Sequence, residues 1–278
     1  MRLDSQNGQR HGYADALRQA WIAIDADRPL EAERIAQKIL EANAGHTEAT
    51  KVQAYALLMQ GKADDAVPLL EKLARSSRDP EIETQLAIAL RHAGHIDKAL
   101  LWLNRAVKRT PPFASAFHEL GYVLHTLERS DEAIVVLRQG MAVAPMMIAM
   151  ALQLGYVCYD VNDRATARNA FAHALSINSL HPEAIQGLAT VLMDAGDFAQ
   201  AAALFRQAVM ANPDDSAARI SLGRCLLELG DYETGYAWLR TAATHDDRNY
   251  GKVLQAILSS SRGRFWLKPS AAAKFFKD

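Results

Sequence analysis

The sequence is poor in cysteine and close to neutral, and each shortage excludes a class of protein. Only Cys158 and Cys225 occur among 278 residues, far apart and outside any paired motif. This excludes a disulfide framework and a cysteine-based zinc site, and we interpret both as small buried apolar residues in a reducing compartment. The formal net charge of −1 gives no overall attraction to nucleic acid or to an anionic membrane. We therefore expect no nucleic acid as a partner.

Membrane and secretion signals are also missing. The first residues, MRLDSQNGQRHGYADALRQ, contain no apolar run of the kind that forms the core of a secretory signal. Residues 139–159 carry no charge over a length that could span a bilayer, but Pro145 interrupts them and both ends follow the repeat described below. The sequence thus predicts a cytoplasmic protein with no integral membrane span.

Motifs for chemistry are absent as well. The sequence contains no glycine-rich phosphate loop, no nucleophile elbow and no zinc-protease helix motif. The acidic pairs at residues 64–65, 214–215 and 246–247 fall at turns, where carboxylates cap helices. His118 and His125 share one helical face, but a metal site needs three or four converging ligands, so we expect them to be solvated or groove-lining. We therefore expect that the protein is not an enzyme and that it binds no cofactor and no metal.

What the chain does have is a repeat. The segment LMDAGDFAQAAALFRQAVMANP, residues 192–213, returns 34 residues later as LLELGDYETGYAWLRTAATHDD. In the same register, seven repeats begin at residues 13, 47, 80, 114, 148, 182 and 216. The eighth and twentieth residues of every repeat are small. They are Ala20, Ala54, Ala87, Gly121, Gly155, Ala189 and Gly223, then Ala32, Ala66, Ala99, Ala133, Ala167, Ala201 and Gly235.

Each repeat is typical of two short amphipathic helices, with apolar residues spaced at i, i+3, i+4 and i+7. The small residues allow the two helices to approach closely. Four glycines, Gly61, Gly94, Gly196 and Gly230, are placed to end the first helix in a left-handed conformation. Asp197 and Asp231 follow two of them as candidate N-caps, and prolines at 111, 145 and 213 end the second helix.

This pattern resembles the tetratricopeptide repeat over residues 13–249, best in repeats four to seven, while repeat one has Asp27 where the glycine is usual. The resemblance implies an all-α fold, a right-handed α-solenoid (superhelix) of seven helix-turn-helix repeats. In this family the first helix of each repeat lines a concave groove, and most members are adaptors that bind peptides or helices. One subtype clamps a terminal carboxylate with an asparagine at position nine, which no repeat has here, so that mode is not expected.

The ninth positions predict a ladder of aromatic groove contacts: Trp21, Tyr55, Tyr122 and Tyr156, with Arg224 in the last repeat. The rings could seat a partner's apolar side chains, or they could pack between adjacent first helices. Arg91, His118 and His125 are expected to set the polarity of the groove in repeats three and four. Acidic residues at 160, 194 and 228 follow in repeats five to seven.

Two segments depart from the repeat. Met146 and Met147 occupy a turn where polar residues are usual, and they either contact a partner or fill a gap between repeats. Residues 250–261 are expected to form a capping helix, and residues 1–12 an N-terminal extension. Residues 262–278 form an aromatic and basic tail with a net charge of +4, and its large aromatic residues are Phe265, Trp266, Phe275 and Phe276. This tail could pack on its own domain, lie on an anionic membrane, or enter a groove, where it would either form homo-oligomers or inhibit its own chain.

The sequence therefore predicts an adaptor or scaffold that binds a peptide or helix of another protein in the groove. Two alternatives remain open. One is a chaperone for an apolar secreted or membrane-bound client, and the other is a non-catalytic targeting subunit of an enzyme complex.

Overall fold

The computed structural model describes residues 2–245, 250–259 and 261, and every regular element in those residues is an α-helix. This confirms the predicted all-α fold class. The helices follow one another as hairpins, and within each of two parts of the chain every hairpin packs against the next. They form two compact bodies, and the chain passes from the N-terminal body to the C-terminal body between Ala144 and Pro145.

The first helices of the hairpins are α1 (Arg2–Asp25), α3 (Thr47–Met59), α5 (Pro80–His92), α7 (Ala114–Thr126), α9 (Ile148–Asp160), α11 (Pro182–Asp194) and α13 (Ser216–Glu228). The second helices are α2 (Pro29–Ala42), α4 (Ala63–Ser76), α6 (Ile96–Ala106), α8 (Ser130–Val143), α10 (Arg164–Ile177), α12 (Phe198–Ala211) and α14 (Tyr232–His245), and α15 (Tyr250–Ser259) follows them. Because α1 begins at Arg2, the first helix of the first hairpin starts inside the predicted N-terminal extension.

The turn within each hairpin is the same backbone device. In every hairpin, one residue of the turn that follows the first helix has a positive φ, between 55° and 83°. The N–H of the residue after it bonds the carbonyl five residues back, as in Lys62 N to Leu57 O at 2.9 Å. Glycine holds this place in four hairpins, as predicted, but Asp27, Glu128 and Asn162 hold it in the others. The periodic turn therefore forms without glycine, at the strain a side chain brings to this conformation.

Small residues bring the two helices of a hairpin together, as the sequence predicts. The alanines at the twentieth positions are fully buried. A Cβ atom added to Gly121 would lie 2.6 Å from the Leu137 side chain, and one added to Gly223 would lie 2.7 Å from Leu239. Both distances are below van der Waals contact, so only glycine allows these large apolar residues to sit against the first helix.

Aspartates begin several helices in the predicted way. Asp197 accepts a hydrogen bond from Gln200 N, and Asp231 accepts one from Thr234 N, both at 3.3 Å. Asp215 caps α13 in the same manner.

The uncharged stretch at residues 139–159 is divided between two helices. The α8 helix ends at Val143 and α9 begins at Ile148, with Pro145 between them. Within the described residues, no helix has both the length and the apolar character that a bilayer span requires.

The last helix packs on the final hairpin. Val253, Ala256 and Ile257 of α15 join a buried apolar cluster with Leu227 of α13 and Leu239 of α14. The helix thereby covers apolar side chains at the end of the repeat array.

Candidate functional site

The ninth residues of the repeats have different surroundings in the two bodies. In the N-terminal body, the Trp21 and Tyr55 rings meet edge to face, with centroids 5.4 Å apart. Lys51 Nζ lies 5.7 Å from both centroids and 2.9 Å from Glu81 Oε2. Tyr55 Oη donates a hydrogen bond to Glu81 Oε1 at 2.9 Å. These contacts join α1, α3 and α5 through side chains that the sequence predicted to line a groove.

The environment of Tyr55 fixes its protonation state. Burial raises the pKa of the Tyr55 phenol far above its ordinary value, and the negative charge of Glu81 adds to the rise. The phenol therefore stays protonated and continues to donate to Glu81.

A second network joins α5 to α7. Arg91 lies 3.4 Å from Glu119 Oε2, and its guanidinium carbon lies 4.9 Å from the centroid of the Tyr122 ring. His118 Nδ1 lies 3.9 Å from Glu119 Oε1. Burial by itself raises the pKa of Glu119, but the hydrogen bond from His118 and the charge of Arg91 outweigh it and lower that pKa. Arg91 and His118 are thus both engaged with one carboxylate.

Two other predicted residues of this body have different surroundings. Tyr122 keeps 43% of its surface exposed. His125 Nδ1 lies 3.0 Å from Ser130 Oγ, at the start of the next helix. Of the expected ladder in this body, Tyr122 is therefore the ring with most surface available to a partner.

The C-terminal body contains a cavity of about 310 Å³ between α9 and α11. Its wall combines aromatic, acidic and amide side chains from the two first helices with one aromatic ring from α10. These residues are Tyr156, Tyr159, Asp160, Phe171, Gln186 and Thr190. Tyr156 is the ladder residue of this body and is 42% exposed.

Two glycines shape the apolar side of this cavity. The Phe171 ring is almost fully buried, at 1% exposure. A Cβ atom would lie 2.5 Å from this ring if added to Gly187, and 2.7 Å if added to Gly155. Gly187 also lines the cavity, and Tyr156 meets the Phe171 ring edge to face at 5.1 Å. The glycines therefore make room for an aromatic ring between α9 and α11.

The polar side of the cavity is organised around Asp194. Tyr159 Oη donates a hydrogen bond to Asp194 Oδ2 at 2.6 Å. Arg164 lies 3.6 Å from the same oxygen and stacks on the Tyr159 ring, with its guanidinium carbon 3.8 Å from the centroid. Asp194 is thus held by a cation and a phenol, whereas Asp160 is exposed on the cavity wall.

The pKa of Tyr156 also depends on an acidic residue of the next repeat. Burial raises the pKa of Tyr156, and the charge of Glu183 adds to that rise. The exposed Glu183 and Asp160 therefore give the edge of the cavity a negative character.

The remaining predicted residues lie elsewhere. Arg224 is half-buried on α13. Glu228, expected on an acidic wall, is only 8% exposed and accepts hydrogen bonds from the backbone N–H of Ser261, at 2.6 Å, and from its hydroxyl. Met146 is 70% exposed, while Met147 is half-buried. The tail aromatics Phe265, Trp266, Phe275 and Phe276 lie outside the described residues.

Both cysteines are buried free thiols, and burial raises the pKa of Cys225 to about 12. That thiol is therefore not a nucleophile near neutral pH. The part of the chain that the structure describes holds no group of three or more His, Cys, Asp or Glu side chains arranged to bind a metal ion.

Sequence reasoning missed Phe171 and Gly187 as parts of the site. Phe171 lies on a second helix, and Gly187 is not the ninth residue of its repeat, so the predicted ladder includes neither. The available signal was a glycine in the middle of a predicted helix, where glycine costs about 1 kcal/mol relative to alanine. Such a glycine indicates a close approach by a neighbouring side chain.

Comparisons with known proteins agree with this architecture. Family models described as tetratricopeptide repeat match residues 17–80, 57–121, 114–145 and 192–257. A search of curated proteins found no match.

Three solved structures illustrate the likeness of fold. The pilF protein of Pseudomonas aeruginosa is 16% identical, with a TM-score of 0.61 over 71% of this chain and 90% of that one. MamA of Desulfovibrio magneticus RS-1 is 22% identical, with a TM-score of 0.53 over 61% and 96% of the two chains. YrrB, described as a TPR protein with an unusual peptide-binding site, is 17% identical, with a TM-score of 0.52 over 66% and 95%. Together with the family models and the helical hairpins, they show that the chain belongs to the tetratricopeptide repeat family.

Proposed function

We propose that this protein is an interaction scaffold that binds a segment of another protein on the first helices of its C-terminal body. The cavity between α9 and α11 carries the proposal. Its volume of about 310 Å³ lies at the lower end of the range of ~300–1,000 Å³ for ligand pockets and suits one large side chain. The half-exposed Tyr156 ring, which packs edge to face against the buried Phe171, offers an aromatic surface for an anchor residue.

The charges at the cavity edge specify what should lie beside that anchor. Asp160 and Glu183 are exposed acidic residues, and Asp194 is already held by Arg164 and Tyr159. A basic residue next to the anchor would be attracted to this edge, whereas an acidic one would be repelled. The preferred partner segment is therefore an aromatic or large aliphatic residue flanked by lysine or arginine.

The ladder residues of the N-terminal body have a different role in this proposal. Trp21, Tyr55, Arg91 and His118 contact one another or nearby acidic residues, which favours a structural role. The half-exposed Tyr122 remains the contact that a longer partner segment would use.

The arrangement of repeats belongs to the same proposal. We retain seven repeats starting at residues 13, 47, 80, 114, 148, 182 and 216, because α3, α5, α7, α9, α11 and α13 begin at the last six of these. We retain α15 as the cap, because it covers apolar side chains of α13 and α14. A reducing compartment such as the cytoplasm fits the two buried free thiols.

A phage-displayed library of random peptides, selected on the full chain, tests the binding mode. We expect enriched peptides to share an aromatic residue beside a basic one. Isothermal titration calorimetry should show that a selected peptide loses at least ~10-fold in affinity for the Tyr156→Ala/Asp160→Asn variant, because both the anchor contact and the charge are removed. The Met210→Ala variant is the matched control, since Met210 is 82% exposed on the second helix α12. Enrichment of acidic peptides, or equal affinity for both variants, would contradict the proposal.

A chaperone for an apolar client is the second candidate, favoured by the exposed Met146. A Met146→Ser variant should then lose the ability to keep an apolar client in solution during co-expression, as measured by centrifugation. Retention of that ability would remove the observation on which this candidate depends.

A further inference from the structure

The described part of the chain ends beside α13, the first helix of the last hairpin. Glu228 is the final residue of α13, at a position where the sequence predicted a groove residue. Its carboxylate accepts hydrogen bonds from the N–H and hydroxyl of Ser261. Ser261, the last described residue, therefore lies next to the C-terminal end of α13.

The charge of this segment complements that of the body to which it is attached. Residues 145–261 contain twelve acidic and eight basic residues, a net charge of −4. Residues 262–278 contain five basic residues and one acidic residue, a net charge of +4. The two oppositely charged segments thus belong to one chain, so the effective concentration of each for the other is high.

The segment is long enough to reach the cavity. Seventeen residues span up to about 56 Å when extended. The helices α9 to α13 pack in sequence, and each step between packed helices is about 8–10 Å. Four such steps amount to at most ~40 Å, and the cavity lies between α9 and α11, so the distance does not prevent contact.

The segment also has the composition that the cavity suits. It contains the pair Phe265–Trp266 near Arg264 and Lys268, and the pair Phe275–Phe276 between Lys274 and Lys277. Each pair places an aromatic anchor beside a basic residue. The exposed Tyr156 ring would bind the anchor, and the acidic Asp160 and Glu183 would bind the basic residue.

We infer that residues 262–278 occupy the cavity between α9 and α11 of their own chain and compete there with the partner segment. This inference rests on the proposed function, because both use the same cavity. Occupation would lower the apparent affinity for a partner to the intrinsic affinity multiplied by the fraction of chains in which the cavity is free.

A photo-crosslinking experiment on the full chain tests the occupant directly. A photoreactive p-benzoylphenylalanine replaces the exposed Gln186 on the cavity wall, and the same residue replaces Met210 as the control. After irradiation and trypsin digestion, mass spectrometry should find a crosslink from residue 186 to a peptide within residues 262–278, in material that remains monomeric. The control should give no such crosslink. A tail crosslink found only in dimers, or crosslinks from residue 186 only to other segments, would overturn the inference.

A second measurement guards against a probe that itself fills the cavity. A full-length Trp266→Ala/Phe275→Ala/Phe276→Ala variant removes three anchors while leaving every charge in place. Its affinity for a phage-selected basic-aromatic peptide should rise ~10-fold in calorimetry, because the competing segment is weakened. Unchanged affinity would overturn the inference while leaving the proposed function intact. Failure to select any peptide on this variant as well as on the full chain, together with a positive tail crosslink, would overturn the proposed function but not the occupation of the cavity by the tail.

Discussion

The two bodies place an aromatic residue at the same repeat position and use it differently. Tyr55 is tied to the next repeat by its hydrogen bond to Glu81 and to the preceding repeat by its contact with Trp21. Tyr156 instead packs edge to face with Phe171 of its own hairpin, and an open cavity remains beside it. A position predicted to face the groove therefore becomes structural or available according to the side chains that neighbouring helices place around it.

The largest effect should come from closing the cavity. In Gly187→Ala, the new Cβ atom would lie 2.5 Å from the Phe171 ring, which would have to move. We expect a loss of about 2 kcal/mol in the free energy of unfolding, since overpacking a dense interior typically costs 1–3 kcal/mol. Urea denaturation followed by tryptophan fluorescence measures it, and binding of a phage-selected peptide should fall with it.

Gly251→Ala is the matched control for this substitution. A Cβ atom at Gly251, also in a helix, would meet nothing within 4 Å. Replacing this glycine should be neutral or slightly stabilising, because alanine favours the helix. If Gly187→Ala behaved like the control, Phe171 would not depend on the glycine for its place.

A smaller effect is expected at the structural tyrosine. Tyr55→Phe removes the hydrogen bond to Glu81 but keeps the ring, so we expect a loss of about 1 kcal/mol in stability near neutral pH. The loss is limited because Glu81 is partly exposed and can be solvated. Peptide binding to the C-terminal body should not change.

The pH dependence of this loss has a defined sign. The folded-state pKa of Tyr55 is raised, while the phenol of the unfolded chain ionises near pH ~10. Below that pH the contribution of Tyr55 is fully present, and above it the unfolded state gains by releasing a proton that the folded state retains. The stability difference between the wild type and Tyr55→Phe should therefore shrink as the pH rises above ~10. Tyr232→Phe, at a 45% exposed tyrosine, is the control, and an equal change in both variants would contradict the assignment.

Much of the fold could be predicted because it depends on spacing within one repeat. The small residues, the left-handed glycines and the aspartate caps lie at fixed intervals, and local backbone geometry decides their roles. Asp27, Glu128 and Asn162 take the left-handed conformation because the register requires it, although their residue types do not indicate it.

The site was less predictable because it depends on pairs of residues in different repeats. The role of Tyr55 is set by Glu81, which is 26 residues later, and the cavity by Gly187 against Phe171. Periodicity gives the face on which a side chain lies, but not the partner it meets there. Tyr122 and Tyr156 as partner contacts therefore remain predictions.

The smallest effect on the free energy of unfolding should have the same sign in both bodies, because it concerns the shared turn. Glu128, in the N-terminal body, has a φ of 62°, and Asn162, in the C-terminal body, has a φ of 64°. Glu128→Gly should raise the free energy of unfolding by about 0.5–1 kcal/mol, since glycine adopts this conformation without steric strain. Asn162→Gly should gain less, because asparagine tolerates the left-handed region. Gly196→Ala, at the equivalent position with a φ of 81°, is the reverse control and should be destabilising. Thermal unfolding by circular dichroism measures all three, and a loss of stability in Glu128→Gly would mean that the Glu128 side chain, and not the backbone, holds that turn.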